Sequence, residues 1–290
     1  MRRVAIVNTS CYRTKRNIRG KYAINRMEKE LGADVVFTEC GGHAEEIAKG
    51  SSKYDIIIAA GGDGTIYEVV NGMDLETQAL AIAPLGTGNN LARDLGLTSM
   101  AKAIDAIKRN EKVKIDLINC RFKTADKEFK RYIVTTSGIG LVSAIVTFAN
   151  HYLKMAGSFC YPLSACIKLF NQKVLSAKIE IDDISIGEID FTNFILNNTK
   201  HAGSVCIFPG ADLKDSELNL LFIKTNALTQ NLWNIGVFTK TYFYYPGEKI
   251  AKRLRIILNR PSFFTLDGET FDSVKEVEYS VIPQKLTVLK

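Results

Sequence analysis

The sequence predicts an α/β protein in which an N-terminal parallel-sheet domain is followed by a mostly antiparallel β-sandwich domain. Three observations support this prediction. The first 110 residues or so alternate short apolar runs with amphipathic segments, a pattern typical of a parallel sheet covered on both faces. Two glycine-rich loops directly follow such runs. From about Lys112 onwards, strand-like runs follow one another with few helices between them, which favours an antiparallel sandwich or barrel.

The elements of the first part are predicted from the spacing of its apolar residues. Its short β-rich runs lack clean alternation, as strands buried on both faces do. Because ligands of such sheets bind where strands end and helices begin, we expect the site at that edge. The predicted strands are residues 4–8, 34–38, 55–60 and 80–84, and the predicted helices are residues 19–31, 44–49, 64–73 and 101–109.

The second part is predicted as a succession of strands. Two apolar stretches with aromatic residues, 143–170 and 228–245, are the exceptions. The change in pattern predicts a first domain over residues 1–115 and a second over residues 116–290. The predicted strands are residues 113–120, 129–137, 177–184, 188–197, 218–224, 253–259, 262–267 and 286–289.

The composition is that of an ordinary globular protein. The 290 residues are 46% hydrophobic and 24% charged, which argues against disorder, collagen and coiled coil. The net charge of +7 suits an anionic ligand or an anionic membrane surface. The six cysteines are scattered, as in a reducing compartment. With neither a signal peptide nor an apolar run of about 18 residues, we expect a cytoplasmic protein that does not span a membrane.

The sharpest motif is the segment Gly61-Gly62-Asp63-Gly64-Thr65, which joins a buried strand to a helix. Glycines let the backbone approach a ligand closely, and a helix N-terminus offers free N–H groups to an anion. A carboxylate beside phosphates would repel them unless a cation intervened, so Asp63 suggests Mg²⁺. The alternative is a tight turn in which Asp63 caps its own helix.

A second loop of this kind follows the next strand, from Pro84 to Arg93. Two glycine-rich loops that leave neighbouring strands and face one crevice are much stronger evidence for a phosphate site than one loop. A basic run after the first strand supplies either counter-charge for a polyphosphate or a solvated helix face. This run consists of Arg13, Lys15, Arg16, Arg19 and Lys21.

Several other chemistries find no support in the sequence. The Walker, Rossmann and protein-kinase patterns are absent, the three histidines are isolated, and no Ser/His/Asp set is suggested. In the second part, Asp215 lies in a polar turn and is either a turn residue or a metal ligand. The Asp267-Gly268-Glu269 segment is, on composition alone, a hairpin turn.

Taken in order, these motifs resemble the diacylglycerol kinase catalytic family, which includes bacterial lipid kinases and the sphingosine and ceramide kinases. The resemblance covers almost the whole chain. It implies an ATP- and Mg²⁺-dependent kinase that transfers the γ-phosphate of ATP to the hydroxyl of diacylglycerol or a similar lipid, in a cleft between an ATP-binding domain and a lipid-binding domain. The matching segments are residues 61–65 with Glu68 and Asn71, residues 84–89, residues 137–140, Pro209 with Asp215, and residues 267–269.

The resemblance also implies roles for single residues. Glu269 matches the proposed general base, and Asp63 is the second catalytic candidate. Asp215 matches the aspartate of a structural Mg²⁺ site that is completed near Asp212 and Glu217. The implied nucleotide contacts are Asn8, Thr9, Ser10, Thr38, Gly61, Gly62, Asp63, Gly64, Thr65, Glu68, Gly86, Thr87 and Asn89.

The chain departs from the family pattern in four places. The first loop has Asn8-Thr9-Ser10 where the family usually has Asn-Pro-x-Ser-Gly. Asn90 stands where bacterial members often have Asp, and Ser216 stands where Gly is usual. A C-terminal tail that returns to the first domain is not expected.

Two other functions stay open. An NAD-kinase-like or other small-molecule kinase would share the Gly-Gly-Asp-Gly-Thr motif, and a nucleotide-binding regulator that has lost catalysis would explain Thr9 and Asn90. Nucleic-acid binding is not expected, because no recognition motif accompanies the charge. The expected partner is a lipid at a membrane surface, contacted peripherally by the aromatic and basic segment 232–255. A homodimer stays open as the assembly.

Overall fold

The computed structural model describes residues 1–12, 18–124, 126–152, 163–164, 167–168, 173–202, 205–223 and 248–290. The chain divides into two compact units. The first comprises Met1–Leu117 and Pro283–Lys290, and the second comprises Ile118–Ile282. The predicted fold class is confirmed, since parallel strands dominate the first unit and antiparallel strands the second.

The first unit is an alternation of strands and helices. Its elements are β1 (Arg3–Val7), α1 (Thr9–Tyr12), α2 (Ile18–Leu31), β2 (Ala33–Phe37), α3 (His43–Lys49), β3 (Ile56–Gly61), α4 (Asp63–Gly72), β4 (Ala79–Pro84), α5 (Asn90–Asp94) and α6 (Met100–Arg109). The strands pair in parallel in the order β4-β3-β1-β2. All six residues of β3 are buried, which explains why this strand is continuously apolar.

Helices pack on this sheet through apolar side chains. Ile56 and Ile58 of β3 share one buried cluster with Met27 of α2 and Ile104 of α6. Helix α6 begins at a capped turn, where the Ser99 side chain accepts a hydrogen bond from the Lys102 N–H at 3.3 Å. Because α2 and α6 pack against β3, the carboxyl ends of the sheet strands are held in fixed positions.

The second unit is rich in strands. Its elements, together with the ends of the two strands that continue into the first unit, are β5 (Lys112–Lys123), β6 (Glu128–Ile133), β7 (Thr136–Gly140), α7 (Leu141–Tyr152), β8 (Leu175–Ile181), β9 (Ile184–Phe191), β10 (Asn193–Asn197), β11 (His201–Ala202), β12 (Val205–Cys206), β13 (Leu218–Ile223), β14 (Glu248–Ala251), β15 (Arg253–Leu266) and β16 (Glu269–Leu289). In the order β14-β13-β10-β7-β15-β16, neighbouring strands are antiparallel, and β8 pairs antiparallel with β15 and with β9 as a branch off this path.

Several predicted strands have different bounds in the structure. The predicted strand 129–137 is interrupted between β6 and β7, and the predicted strand 188–197 is interrupted at Thr192 between β9 and β10. Conversely, residues 253–259 and 262–267 form the single strand β15. Pro261 has no N–H to donate, and the register shifts between Ile257 and Ser262 accommodate it without ending the strand.

The last residues of the chain lie in the first unit, although the sequence pattern predicts them in the second domain and no tail that returns to the first. That expectation was wrong. Val288 pairs in parallel with Leu80 of β4, and the Lys290 N–H donates to the Glu111 carbonyl at 3.0 Å. The physical reason is burial, because Leu286, Val288 and Leu289 are fully buried there.

Several sequence predictions fall outside the described residues. They include Arg13, Lys15 and Arg16 of the basic run, the whole of the stretch 228–245, and parts of the stretch 143–170 beyond α7. In the part of the chain that is described, no helix combines the length and the apolar character needed to cross a bilayer.

Candidate active site

The two glycine-rich loops of the first unit are in direct backbone contact. Gly61 at the end of β3 is paired with Pro84 at the end of β4, so both loops leave the same edge of the sheet. The N–H groups of Leu85 and Gly86 donate to the Gly61 carbonyl at 3.0 and 3.1 Å. A Cβ atom on Gly86 would lie 2.3 Å from the Gly62 Cα, so this close approach requires glycine.

The Asp63 carboxylate binds the second loop to the first. Its Oδ2 accepts hydrogen bonds from the backbone N–H and the side-chain amide of Asn90, at 3.0 and 3.2 Å, and its Oδ1 accepts one from the Leu91 N–H at 3.3 Å. Helix α5 starts at Asn90, and its N-cap residue Asn89 makes no side-chain capping bond. Asp63 therefore caps α5 from a neighbouring helix.

The electrostatics of Asp63 are a balance of opposing effects. Burial raises the pKa of Asp63 above its ordinary value, while the hydrogen bonds from Asn90 and Leu91 and the charge of Arg93 act in the opposite direction. The N-cap of α4 is Gly62, which has no side-chain capping bond. The hydrogen bonds from Asn90 and Leu91 thus place the Asp63 carboxylate at the start of α5, in addition to its bond with its own backbone N–H at the start of α4.

The loop after β1 reaches the same edge of the sheet. The Asn8 side-chain amide donates to Thr65 Oγ1 at 2.9 Å, and the Thr9 hydroxyl donates to the Thr38 carbonyl at 2.7 Å. The Ser10 N–H donates to Asn8 Oδ1 at 2.9 Å. The structure therefore brings the predicted nucleotide contacts Asn8, Thr9, Thr38 and Thr65 together, even though the first loop lacks the proline of the family pattern.

Two predicted nucleotide contacts have a different environment. Glu68 Oε2 accepts a hydrogen bond from the Ala44 N–H at 3.0 Å, so this carboxylate lies at the start of α3. There it satisfies a backbone donor of a helix whose N-cap, Gly42, provides no side-chain bond. Thr87 is exposed in the second loop. A nucleotide contact stays a prediction for both residues.

Sequence reasoning missed two residues of the site. Asn90 was noted only as a departure from the family, yet it is buried and donates twice to Asp63. Arg93 donates from Nη2 to the Gly88 carbonyl at 3.4 Å. Asn90 and Arg93 are three residues apart at the start of a helix that follows a glycine-rich loop. Residues with this spacing lie on the same face of a helix, so the sequence could have predicted that both side chains face that loop.

In the second unit, Glu269 follows a two-residue hairpin turn between β15 and β16. Asp267 and Gly268 have φ values of 45° and 95°, and Leu266 pairs with Glu269 across the turn. Positive φ at both central residues is the type I′ pattern expected for Asp-Gly, so the hairpin prediction is confirmed. Glu269 itself is exposed.

The buried Asp267 carboxylate anchors this turn. Its Oδ2 accepts a hydrogen bond from the Val134 N–H at 2.8 Å, and its Oδ1 accepts bonds from the N–H groups of Thr135 and Thr136 at 2.8 and 2.9 Å and from the Thr135 hydroxyl. These donors lie where β6 gives way to β7. The interruption of the predicted strand 129–137 thus supplies the binding site for Asp267.

The predicted metal residues lie together in a polar turn of the second unit. Asp215 accepts hydrogen bonds from the Asp212 N–H at 3.1 Å and the Glu217 N–H at 2.9 Å, and Ser216 adopts a left-handed φ of 61°. Burial raises the pKa of Asp215, and the nearby charges of Glu217 and Asp212 raise it further. No group of three or more His, Cys, Asp or Glu residues within the described ranges is arranged to hold a metal. The site implied by the resemblance, one carboxylate with backbone carbonyls, is of a different kind and stays a prediction.

The basic end of the segment 232–255 is partly neutralised. Arg253 forms an ion pair with Asp183 at 3.2 Å, and Arg255 forms ion pairs with Glu276 at 2.6 Å and Glu278 at 3.2 Å. Residues 232–247 lie outside the described ranges. Contact of this segment with a membrane stays a prediction.

Comparison with known proteins agrees with this geometry. A profile of the diacylglycerol kinase catalytic domain matches residues 2–120. A diacylglycerol kinase from Bacillus subtilis is 31% identical over 244 residues, which cover 80% of this chain and 77% of that protein. One from Staphylococcus epidermidis is 32% identical over 184 residues, which cover 62% of this chain and 55% of that protein. The crystal structure of a diacylglycerol kinase from Bacillus anthracis has a TM-score of 0.78 at 21% identity and covers 99% of this chain and 96% of that one.

These matches establish the class of protein. The chain belongs to the diacylglycerol kinase catalytic-domain family, as its motifs indicate. The aligned part spans only about half the length of the staphylococcal relative. The likeness to the Bacillus anthracis structure concerns the fold.

Titration of Asp267 should make the free energy of unfolding depend on pH. Burial raises the pKa of the Asp267 carboxylate from 3.8 to about 6. The folded protein therefore binds a proton at Asp267 more tightly than the unfolded chain does. Its contribution to the free energy of unfolding is therefore fully present below about pH 4 and is lost as the pH rises to about 6, by about 3 kcal/mol in total. Urea denaturation of the wild type and of Asp267→Asn between pH 4 and 7 should show the wild type losing stability relative to the variant. A difference of the opposite sign would mean that the four donors outweigh burial.

Proposed function

We propose that this protein is an ATP- and Mg²⁺-dependent lipid kinase that transfers the γ-phosphate of ATP to the hydroxyl of diacylglycerol or a similar lipid. The observation that supports it most is the backbone contact of two glycine-rich loops at the carboxyl edge of a parallel sheet, fastened by Asp63. Membership of the diacylglycerol kinase family supports the reaction class. The relatives' name supports a diacylglycerol-like acceptor.

The first unit would bind the nucleotide. Helix α4 begins immediately after Gly62 without a side-chain cap, so its N-terminus is open to an anion. Phosphates would lie against the backbone between Gly61 and Thr65. Asn8 and Thr38 would lie beside the rest of the nucleotide, since both contact the residues that form this edge. Phosphoryl transfer depends mainly on such positioning and charge neutralisation.

Mg²⁺ suits the oxygen donors present in both units. Hard cations bind carboxylate, carbonyl and water oxygens, which are the groups at Asp63 and in the turn of Asp212, Asp215 and Glu217. The Asp63 carboxylate accepts hydrogen bonds from Asn90 and Leu91, and carboxylate oxygens can bind a cation as well as donors. When bound, Mg²⁺ supplies charge neutralisation at the phosphates. Asp63 would hold the cation near the phosphates, and Asp215 would hold a structural one.

Glu269 would act as the general base. An alcohol is a poor nucleophile at neutral pH, and a carboxylate within hydrogen-bond reach can accept its proton as the phosphoryl group moves. Glu269 is exposed on a turn that is anchored by the buried Asp267, so it combines access to a substrate with a fixed backbone. This arrangement favours Glu269 over Asp267, whose oxygens are occupied by four donors.

A panel assay tests the proposed function. Purified protein is incubated with [γ-³²P]ATP and Mg²⁺ in detergent micelles that contain diacylglycerol, phosphatidylglycerol, a sphingoid base or an undecaprenol-like alcohol, with NAD as a further acceptor. We expect label in one lipid. Label in NAD would favour the NAD-kinase-like alternative. ATP binding without transfer to any acceptor would favour the regulator.

Asp63→Ala should abolish phosphoryl transfer and also destabilise the protein, because Asn90 and Leu91 lose the acceptor of their N–H groups. The expected loss is about 1–2 kcal/mol in the free energy of unfolding, the usual cost of a helix cap. Ser99→Ala is the matched control, since it removes the cap of α6 without touching the loops. Denaturation and the labelled-ATP assay should show comparable destabilisation in both variants and loss of transfer in Asp63→Ala alone. Wild-type turnover in Asp63→Ala would refute the role.

Glu269→Gln should lower kcat by about 10²- to 10⁴-fold, the range for loss of a general base, while nucleotide affinity changes little. Glutamine keeps the size of the side chain but cannot accept the proton. Steady-state kinetics on the preferred lipid, with ATP affinity measured separately, provide the test. The control is Glu188→Gln, an exposed glutamate on β9. If Glu269→Gln retained most of its kcat, the base would be another group, with Asp63 the next candidate.

Mg²⁺ should raise the melting temperature of the wild type through Asp215. The like charges of Asp212 and Glu217 oppose ionisation of Asp215, and a bound cation would relieve that repulsion. Thermal scans with and without millimolar Mg²⁺, in the absence of nucleotide, should show an upward shift in the wild type that Asp215→Ala lacks. Asp183→Ala, which alters an exposed carboxylate on another turn, should keep the shift. An equal shift in all three proteins would contradict a site at Asp215.

A further inference from the structure

Helix α7 is fixed at its start by close contacts with the neighbouring strands. The Val142 N–H donates to Asn193 Oδ1 at 3.0 Å. A Cβ atom on Gly138 would lie 2.1 Å from Val142 Cγ1, so the helix occupies space that only glycine leaves open. Ser143 is fully buried, and its Oγ lies 2.9 Å from the Phe263 carbonyl of β15. These contacts give α7 a defined position beside the end of β15.

At its other end, α7 touches the turn that precedes Glu269. The Asn150 side-chain amide donates to the Gly268 carbonyl at 2.8 Å. Asn150 is exposed, and most of the helix from Leu141 to Ala149 is apolar. An exposed asparagine on such a helix is not required for packing, so its contact with the turn calls for another explanation.

The contact fixes one of the two peptide groups that flank Glu269. The Gly268 carbonyl belongs to the peptide on the amino side of Glu269 and is held by Asn150. The Glu269 carbonyl belongs to the peptide on the carboxyl side, and it accepts a hydrogen bond from the hydroxyl of buried Thr265 at 2.8 Å. Because peptide groups are planar, fixing both of them fixes the direction of the Cα–Cβ bond between them.

We propose that Asn150 is a positioning residue that aims the Glu269 side chain from helix α7. The inference rests on the proposed function, in which Glu269 is the general base. Asn150 acts on the amino side of Glu269 and Thr265 on its carboxyl side, while Asp267 anchors the turn to the β6–β7 junction. The backbone that carries the exposed Glu269 carboxylate therefore has little freedom to move. Such restraint favours proton transfer, which requires the base to be held close to the substrate hydroxyl.

The experiment compares Asn150→Ala with Asn259→Ala. Both remove one exposed asparagine of the second unit that donates a side-chain hydrogen bond, but Asn259 bonds Glu188, away from the turn. In Asn150→Ala, kcat should fall roughly 3- to 10-fold, the effect of one net hydrogen bond, with the KM for ATP and the melting temperature unchanged. Asn259→Ala should keep the wild-type kcat. Asn150→Gln, which retains an N–H donor, should recover more activity than the isosteric Asn150→Asp, which does not.

Hydrogen exchange supplies a readout that does not depend on activity. Peptides that cover residues 264–272 should exchange faster in Asn150→Ala than in the wild type and in Asn259→Ala. Unchanged kcat in Asn150→Ala, with or without faster exchange, would overturn the positioning role. A different result would separate the two proposals. If the wild type phosphorylated no acceptor, the proposed function and the catalytic role of Asn150 would both fail. Faster exchange in Asn150→Ala would then still confirm that Asn150 restrains the turn.

Discussion

The site in the first unit depends on one partly buried carboxylate, that of Asp63. Backbone hydrogen bonds from Leu85 and Gly86 to the Gly61 carbonyl already join the two loops where they leave adjacent strands. Asp63 adds a stronger link, since a charged acceptor makes stronger hydrogen bonds than a neutral one with the N–H groups of Asn90 and Leu91. Removing the Asp63 carboxylate from water is unfavourable and raises its pKa. The N–H groups at the start of α5 act in the opposite direction by stabilising the charged form.

This arrangement gives Asn90 a physical meaning. An amide at position 90 donates to Asp63, whereas an aspartate there would bring a second carboxylate against the first and would require a proton or a cation between them. In this chain the hydrogen bonds from Asn90 and Leu91 to Asp63 link the two loops. Asn90 therefore maintains the geometry of the loops, and its presence does not by itself favour a regulator without catalysis.

The second unit uses the same device at a different place. Asp267 is buried and is surrounded by N–H and O–H donors at a strand interruption, and it fastens a turn as Asp63 fastens a loop. In both cases an aspartate close in sequence to glycine is tied to backbone donors far along the chain. Under the proposed function, the partly buried start of α4 and the exposed Glu269 side chain would thereby be held in position for a ligand. Two aspartates that fix a loop and a turn in this way support the proposed phosphoryl transfer, because that reaction depends mainly on positioning.

The sequence by itself determined the fold class, the parallel strands and the loops at their ends. Local patterns are sufficient there, because a continuous apolar run such as Ile56–Gly61 is dictated by burial on both faces and a glycine-rich loop by close backbone approach. The hairpin at Asp267-Gly268 was equally local, since positive φ at two adjacent residues needs such a pair. Only the tertiary structure decided which donors each carboxylate binds. Asp63 meets Asn90, Asp267 meets Thr135, and Val288 meets Leu80 because the sheet brings distant segments together, and no spacing within the chain encodes those distances.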